Sequence, residues 1–222
     1  MVASTHPAVQ SENAEIREVR VTPLGLEGLL ALPPASEGIV LFAHGSGSSR
    51  LDPRNNQVAE ALRRAGMATL LLDLLQPEEA ANRNKVFDVD LLAGRLLAAT
   101  EWVREQSETR DLIIDYFGAG TGAATALVAA APIGAVVSRG GRPDLAGAVL
   151  ADVMAPTLLI VGGDDPVVLD LNRAALAKLR CEKRLEIVPR AGHLFEQPGA
   201  LDAVIGLARE WFVTHLRKEA AA

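Results

Sequence analysis

One cysteine, Cys181, stands among 222 residues. A lone thiol excludes an internal disulfide and points to a reducing compartment. Aromatic residues are almost as scarce, at 4% of the chain against 49% hydrophobic, so a core has to be built from Ala, Leu, Val and Ile. Basic residues are outnumbered by acidic ones, 22 to 28, and they are scattered rather than gathered into a stripe. That balance lacks the footprint of a nucleic-acid binder, and no nucleic-acid partner is expected. Long apolar runs are missing too. The best of them, GAATALVAAAPIGAVV, is interrupted by Gly and Pro and is too short to span a bilayer, so no membrane association is expected. The first residues, MVASTHPAVQSENAE, show neither a basic n-region nor an apolar h-region, which reads as a cytoplasmic protein without a signal peptide. Four histidines and one cysteine have no metal-ligand spacing, so neither a metal nor another cofactor is expected.

What is present is rhythm. After a polar tail (1–14), residues 16–32 suggest two short strands around Pro23-Leu24-Gly25. GIVLFA (38–43) is continuously apolar, as a parallel strand buried on both faces would be. Helical spacing over 54–66 follows, then the strand MATLLLDLL, then one long helix over VFDVDLLAGRLLAATEWVREQ. The alternation continues with LIIDYF, AGTGAATALVAAA, AVVS, PTLLIVGG, a helix over 168–180, RLEIVP and a closing helix over 197–217. Such alternation predicts an α/β fold: a three-layer α/β/α sandwich on a mostly parallel, doubly wound sheet. One domain over 15–217 accounts for it, with a short tail over 218–222 and no large lid domain. A homodimer through an exposed edge strand or the last helix is a further option.

Ligand sites in such sheets gather beyond the carboxyl ends of the strands. Four loops there carry chemistry. His44-Gly45-Ser46-Gly47 follows GIVLFA and offers backbone N–H groups that can stabilise a developing oxyanion, although an ordinary Gly/Ser turn would look the same. Gly118-Ala119-Gly120-Thr121-Gly122 has the spacing of G-x-S-x-G between a strand and a small-residue helix, with glycine in the middle. Gly162-Gly163-Asp164-Asp165-Pro166 places carboxylates where one can orient a histidine or simply cap a helix. Ala191-Gly192-His193 comes last, in the chain order of a nucleophile–acid–histidine series.

Taken together, FAHGSGSSR…PRN, LLLDLL, FGAGTGAA, VVSRGGRPDLAG, PTLLIVGGDD and AGHLFEQPGAL resemble the dienelactone-hydrolase-like, lidless branch of the α/β-hydrolase superfamily, over residues 16–217. The resemblance implies a carboxylic ester, lactone or related acyl compound as substrate. It implies His193 as general base, Asp165 as its acid with Asp164 as the alternative, and the N–H groups of Ser46 and Thr121 as oxyanion hole. Gly120 falls on the nucleophile position. His44, Gly45, Ser138 and Arg139 are expected to contact substrate, Phe42, Leu74 and Leu75 to lie near the pocket.

Glycine offers no nucleophile, and that departure leaves several readings open. The chain is an esterase inactivated by a Ser-to-Gly replacement, or a binding member of the fold, or one in which His193 activates water directly. A rival from another class rests on Gly118-x-Gly120-x-x-Ala123, which also fits a dinucleotide fingerprint, with Arg139 placed for the 2′-phosphate of NADP.

Overall fold

The computed structural model describes residues 14–131 and 133–219. Eight strands form one sheet in the order β1-β2-β4-β3-β5-β6-β7-β8. They are β1 (Ile16–Val21), β2 (Leu26–Ala31), β3 (Gly38–Ala43), β4 (Ala68–Leu72), β5 (Ile113–Ala119), β6 (Val136–Arg139), β7 (Thr157–Gly162) and β8 (Lys183–Val188). The first two make the expected antiparallel hairpin, and β2 runs antiparallel to β4. From β4 to β8 every pairing is parallel. The inner strands β3, β4 and β7 are buried along their whole length. This is why they read as unbroken apolar runs rather than as alternating ones.

Helices cover both faces. On one side α1 (Pro53–Arg64) and α7 (Ala200–Glu219) pack on Val40, Phe42, Phe117, Val137 and Ile160, with the Phe42 and Phe117 rings 4.9 Å apart. On the other, α4 (Val89–Glu105), α5 (Gly122–Val128) and α6 (Pro166–Lys178) flank the sheet, together with a 3-10 segment over Pro143–Ala151. Leu96, Ala99, Ala124 and Ala126 of this layer join Leu41, Tyr116 and Val136 in a second aliphatic core. The architecture is the three-layer, doubly wound sandwich of the α/β-hydrolase fold, without a large lid.

Three boundaries differ from the sequence pattern. The long helix expected from Val86 is broken at Phe87-Asp88, because the Asp88 carboxylate accepts from Leu91 N at 2.9 Å and so starts α4 afresh. Ahead of it lie two four-residue helices, α2 (Pro77–Ala80) and α3 (Arg83–Val86), where no helix was expected. The closing helix starts only at Ala200, after Pro198-Gly199, and runs to Glu219, so residues 218 and 219 belong to it rather than to a tail. Residues 1–13 of the expected N-terminal tail, and His6 with them, lie outside the described residues.

Candidate active site

β5 ends by running into a turn whose centre is Gly120, at φ +56°. L-residues avoid that region, and it is the strained conformation in which an elbow presents a side chain. The turn can be this tight because of Gly122: a Cβ there would stand 2.0 Å from the Ala43 carbonyl oxygen. A Cβ on Gly120 would instead meet only Gly45 Cα, at an ordinary contact distance of 3.5 Å. The backbone thus forbids a side chain at Gly122 and leaves room for one at the apex, Gly120.

The loop after β3 lies against this turn. Ser46 N donates to Thr121 Oγ1 at 3.1 Å, and Thr121 itself begins α5 with a side chain that caps nothing. On the opposite flank the Arg139 carbonyl accepts from Gly120 N at 3.3 Å, and Arg142 N donates to Gly120 O at 2.9 Å. His193 sits across Gly140, where an added Cβ would come 3.7 Å from its Nδ1.

That Nδ1 lies 2.8 Å from Asp165 Oδ2. The other oxygen of the same carboxylate accepts from Val168 N at 3.4 Å and caps α6. Asp165 therefore does both things its loop could mean: it starts a helix and holds a histidine. Asp164 is exposed and meets the histidine loop only through its backbone, donating to Ala191 O at 2.9 Å. Geometry singles out Asp165 from the adjacent pair. Half of the His193 side chain is exposed, so the ring faces solvent from the strand-end side.

A cavity of about 270 Å³ opens beside Ser46 and Thr121. Leu74, Leu75, Pro77, Ala80, Val86 and Leu92 form its apolar wall, under the two short helices α2 and α3. Those helices are clasped from below: Glu79 accepts from Arg95 Nη2 at 2.9 Å and from Lys85 at 2.7 Å. Arg95 and Lys85 thereby hold the Glu79 carboxyl far below the usual carboxylate range. The polar wall holds a network that sequence reasoning missed. Arg50 pairs with Asp73 through its guanidinium and, at 2.7 Å, its backbone N–H; it also meets Glu27 at 2.8 Å. His44 Nε2 stands 3.1 Å from Asp73, and its Nδ1 lies 3.0 Å from Gly45 O. Burial alone would raise the Asp73 carboxyl, but these partners outweigh it and hold it below its ordinary value. The one sequence signal for Asp73 is its place directly after LLL at a strand end.

His44, Gly45, Leu74 and Leu75 line this cavity as expected, and Ser138, Arg139 and Phe42 do not. Consecutive strand residues point to opposite faces, so Ser138 and Arg139 cannot share a wall. Ser138 is fully buried beneath Gly141 and Ala123. Arg139 turns into the layer of α1, where burial and the nearby Arg54, partly offset by Asp52, bring its guanidinium down to about 10. So turned, and 8% exposed, it does not reach out to a nucleotide at the start of α5. Phe42 is in the core. Among the described residues there is no group of His, Cys, Asp and Glu that could hold a metal ion, and no helix long and apolar enough to cross a membrane.

No family model matches the chain. It is 53% identical over 218 residues to a putative phosphoribosyl transferase of Mycobacterium tuberculosis. That match takes in 96% of this chain but 48% of the other, so the chain spans about half the length of this curated relative. Among solved structures, Est1E from Butyrivibrio proteoclasticus superposes with a TM-score of 0.76 at 15% identity, over 91% of this chain and 99% of that one; this likeness is one of fold. A dienelactone hydrolase from Anabaena variabilis superposes with a TM-score of 0.88 at 53% identity, covering 91% of this chain and 99% of that one. With identity that high along nearly the whole of that structure, the chain belongs to the dienelactone hydrolase family of α/β-hydrolases.

Proposed function

We propose that the chain is the scaffold of a carboxylic ester or lactone hydrolase in which glycine has replaced the serine nucleophile. The observation that carries this reading is the elbow: Gly120 holds the positive φ of a nucleophile position and has space for a side chain, with the His193–Asp165 pair on one flank and the hydrogen-bonded Ser46–Thr121 pair on the other. In the serine form, the hydroxyl attacks the acyl carbon while His193 Nε2 takes its proton. Asp165 stabilises the resulting imidazolium through Nδ1, and the Thr121 N–H holds the oxyanion, joined by the Ser46 N–H once that group turns from the Thr121 hydroxyl to the substrate. His193 then returns the proton to the leaving oxygen, and water releases the acyl group by the reverse sequence.

The present chain lacks the attacking atom and is impaired accordingly. The open space beside Gly120 favours one second reading, direct attack by a water from which His193 removes a proton. The longer relative is named as a putative phosphoribosyl transferase, but this chain spans about half of that protein, and no observation on the described residues favours the activity here. The protein acts in the cytoplasm on a small acyl compound. Gly120→Ser tests the proposal: it is expected to hydrolyse 4-nitrophenyl acetate at least about a hundredfold faster than the present chain. A folded variant that stays at background across a broad ester panel would refute it.

A further inference from the structure

We infer that the guanidiniums of Arg139 and Arg54 hold a small inorganic anion of halide size on the β6 flank of the elbow. This site is independent of the ester-hydrolase reading and needs no turnover to be detected.

Arg139 is the last residue of β6 and shares a face with Val137, which packs beneath α1 and α7. Only 8% of Arg139 is exposed. No carboxylate among the described residues comes within ion-pair reach of it, and its Nη1 is buried without a hydrogen-bond partner. Arg54, in the first turn of α1, stands near enough to repel it, and the Nη1 of Arg54 is likewise buried and unpartnered. Asp52 is the buried carboxylate beside them, and its oxygens are taken. Oδ1 accepts from Arg54 N at 2.9 Å and Asn55 N at 3.1 Å; Oδ2 accepts from Arg54 Nη2 at 2.8 Å and Ser48 Oγ at 3.1 Å. Glu196 also acts on Arg54, but from an exposed position where water screens it.

Two guanidiniums thus face one buried carboxylate. Burial and the Arg54 charge, offset in part by Asp52, bring Arg139 down only to about 10, so it stays a cation at neutral pH. Buried charges are paired as a rule, because an uncompensated one costs more than almost any other defect in a fold. One monoanion balances the count. A halide suits the place: it is spherical, accepts from two N–H groups without directional demand, and needs only the narrow opening by which solvent reaches Arg139. Water bonded to the same nitrogens would leave the charge unbalanced. The Arg139 carbonyl accepts from Gly120 N, so an ion held here steadies the strand that carries the elbow.

The test is the melting temperature of the present chain at constant ionic strength, with chloride exchanged for gluconate, which is too bulky for so enclosed a place. Raising chloride from about 5 to about 200 mM is expected to raise Tm by at least about 2 °C. Arg139→Met keeps the length of the side chain, removes its charge and should lose that response. Bromide gives a direct readout on the unaltered protein: crystals soaked in sodium bromide should show an anomalous peak between the two Nη1 atoms. Equal chloride shifts in the parent and Arg139→Met would mark a general salt effect and overturn the inference. A parent that does not respond to chloride, or a bromide soak without that peak, overturns it too. If Arg139→Met yields no folded protein, the bromide peak decides alone.

Discussion

Replacing Gly120 with serine sets two backbone effects against each other, and their balance can be worked from the structure. At φ +56° an L-residue costs about 1–2 kcal/mol relative to glycine. Against this, a side chain narrows the unfolded ensemble and returns about 0.4–1 kcal/mol. The steric contribution is small, because a Cβ would touch only Gly45 Cα at 3.5 Å. The expected net is a destabilisation of about 1 kcal/mol, which for a domain of this size lowers Tm by about 2–4 °C. Gly118 provides the contrast two residues earlier. A Cβ there would lie 2.5 Å from Ala123 Cα and 2.6 Å from Gly122 O, so Gly118→Ala should cost well over 3 kcal/mol. Differential scanning calorimetry of both variants, with intact-mass analysis after fluorophosphonate treatment, reads stability and reactivity together. The apex variant should melt close to the parent and gain one adduct. If it loses more than about 10 °C, the turn is not built to carry a side chain. If it melts normally and gains no adduct, the flanking His193 does not activate the apex.

Other consequences can be measured in the same background. Asp165→Asn should reduce kcat by about 10³–10⁴ while barely changing Tm, since Asn also caps a helix; Asp164→Asn should leave kcat within about threefold, and the reverse ranking would reassign the acid. Thr121→Val frees the Ser46 N–H that the Thr121 hydroxyl now occupies, and kcat/KM for a neutral ester should rise about fivefold; a fall would mean that the hydroxyl itself serves the substrate. Asp52 caps α1 and pairs with Arg54. Burial would raise its carboxyl, but hydrogen bonds from Arg54 and Asn55 bring it down to about 2. The folded value lies below the unfolded one, so about 2 kcal/mol of stability is present above pH 4 and drains away as pH falls toward 2. Urea midpoints between pH 2 and 5 should show this slope, and an unchanged slope in Asp52→Asn would refute the assignment.

The strand-end loops were legible in the sequence because each couples a glycine-permitted turn to a polar residue that the core cannot absorb. His193 and Gly120 are of this kind. Asp165 is preferred in the sequence only through the family resemblance, and Asp164 stays open beside it, since which neighbour faces the histidine depends on how α6 begins. The misplacement of Ser138 beside Arg139 was avoidable from strand alternation alone. Helices α2 and α3 had no such signal: four residues complete barely one turn, too few for periodicity to register. The same limit hid the Arg50–Asp73–Glu27 network, whose members lie 23 residues or more apart and meet only when β2 and β4 pair.

The divided carboxylate of Asp165 has a mechanical consequence. One oxygen is tied to the first turn of a 13-residue helix and the other to the imidazole, so the ring is suspended from α6 rather than from its own loop. A small roll or slide of α6 would swing the ring of His193 toward or away from the elbow. Contacts along α6 remote from the site, including the Asn172 amide that fastens it to the Gly141 carbonyl at 2.9 Å, therefore help to fix where the His193 ring stands.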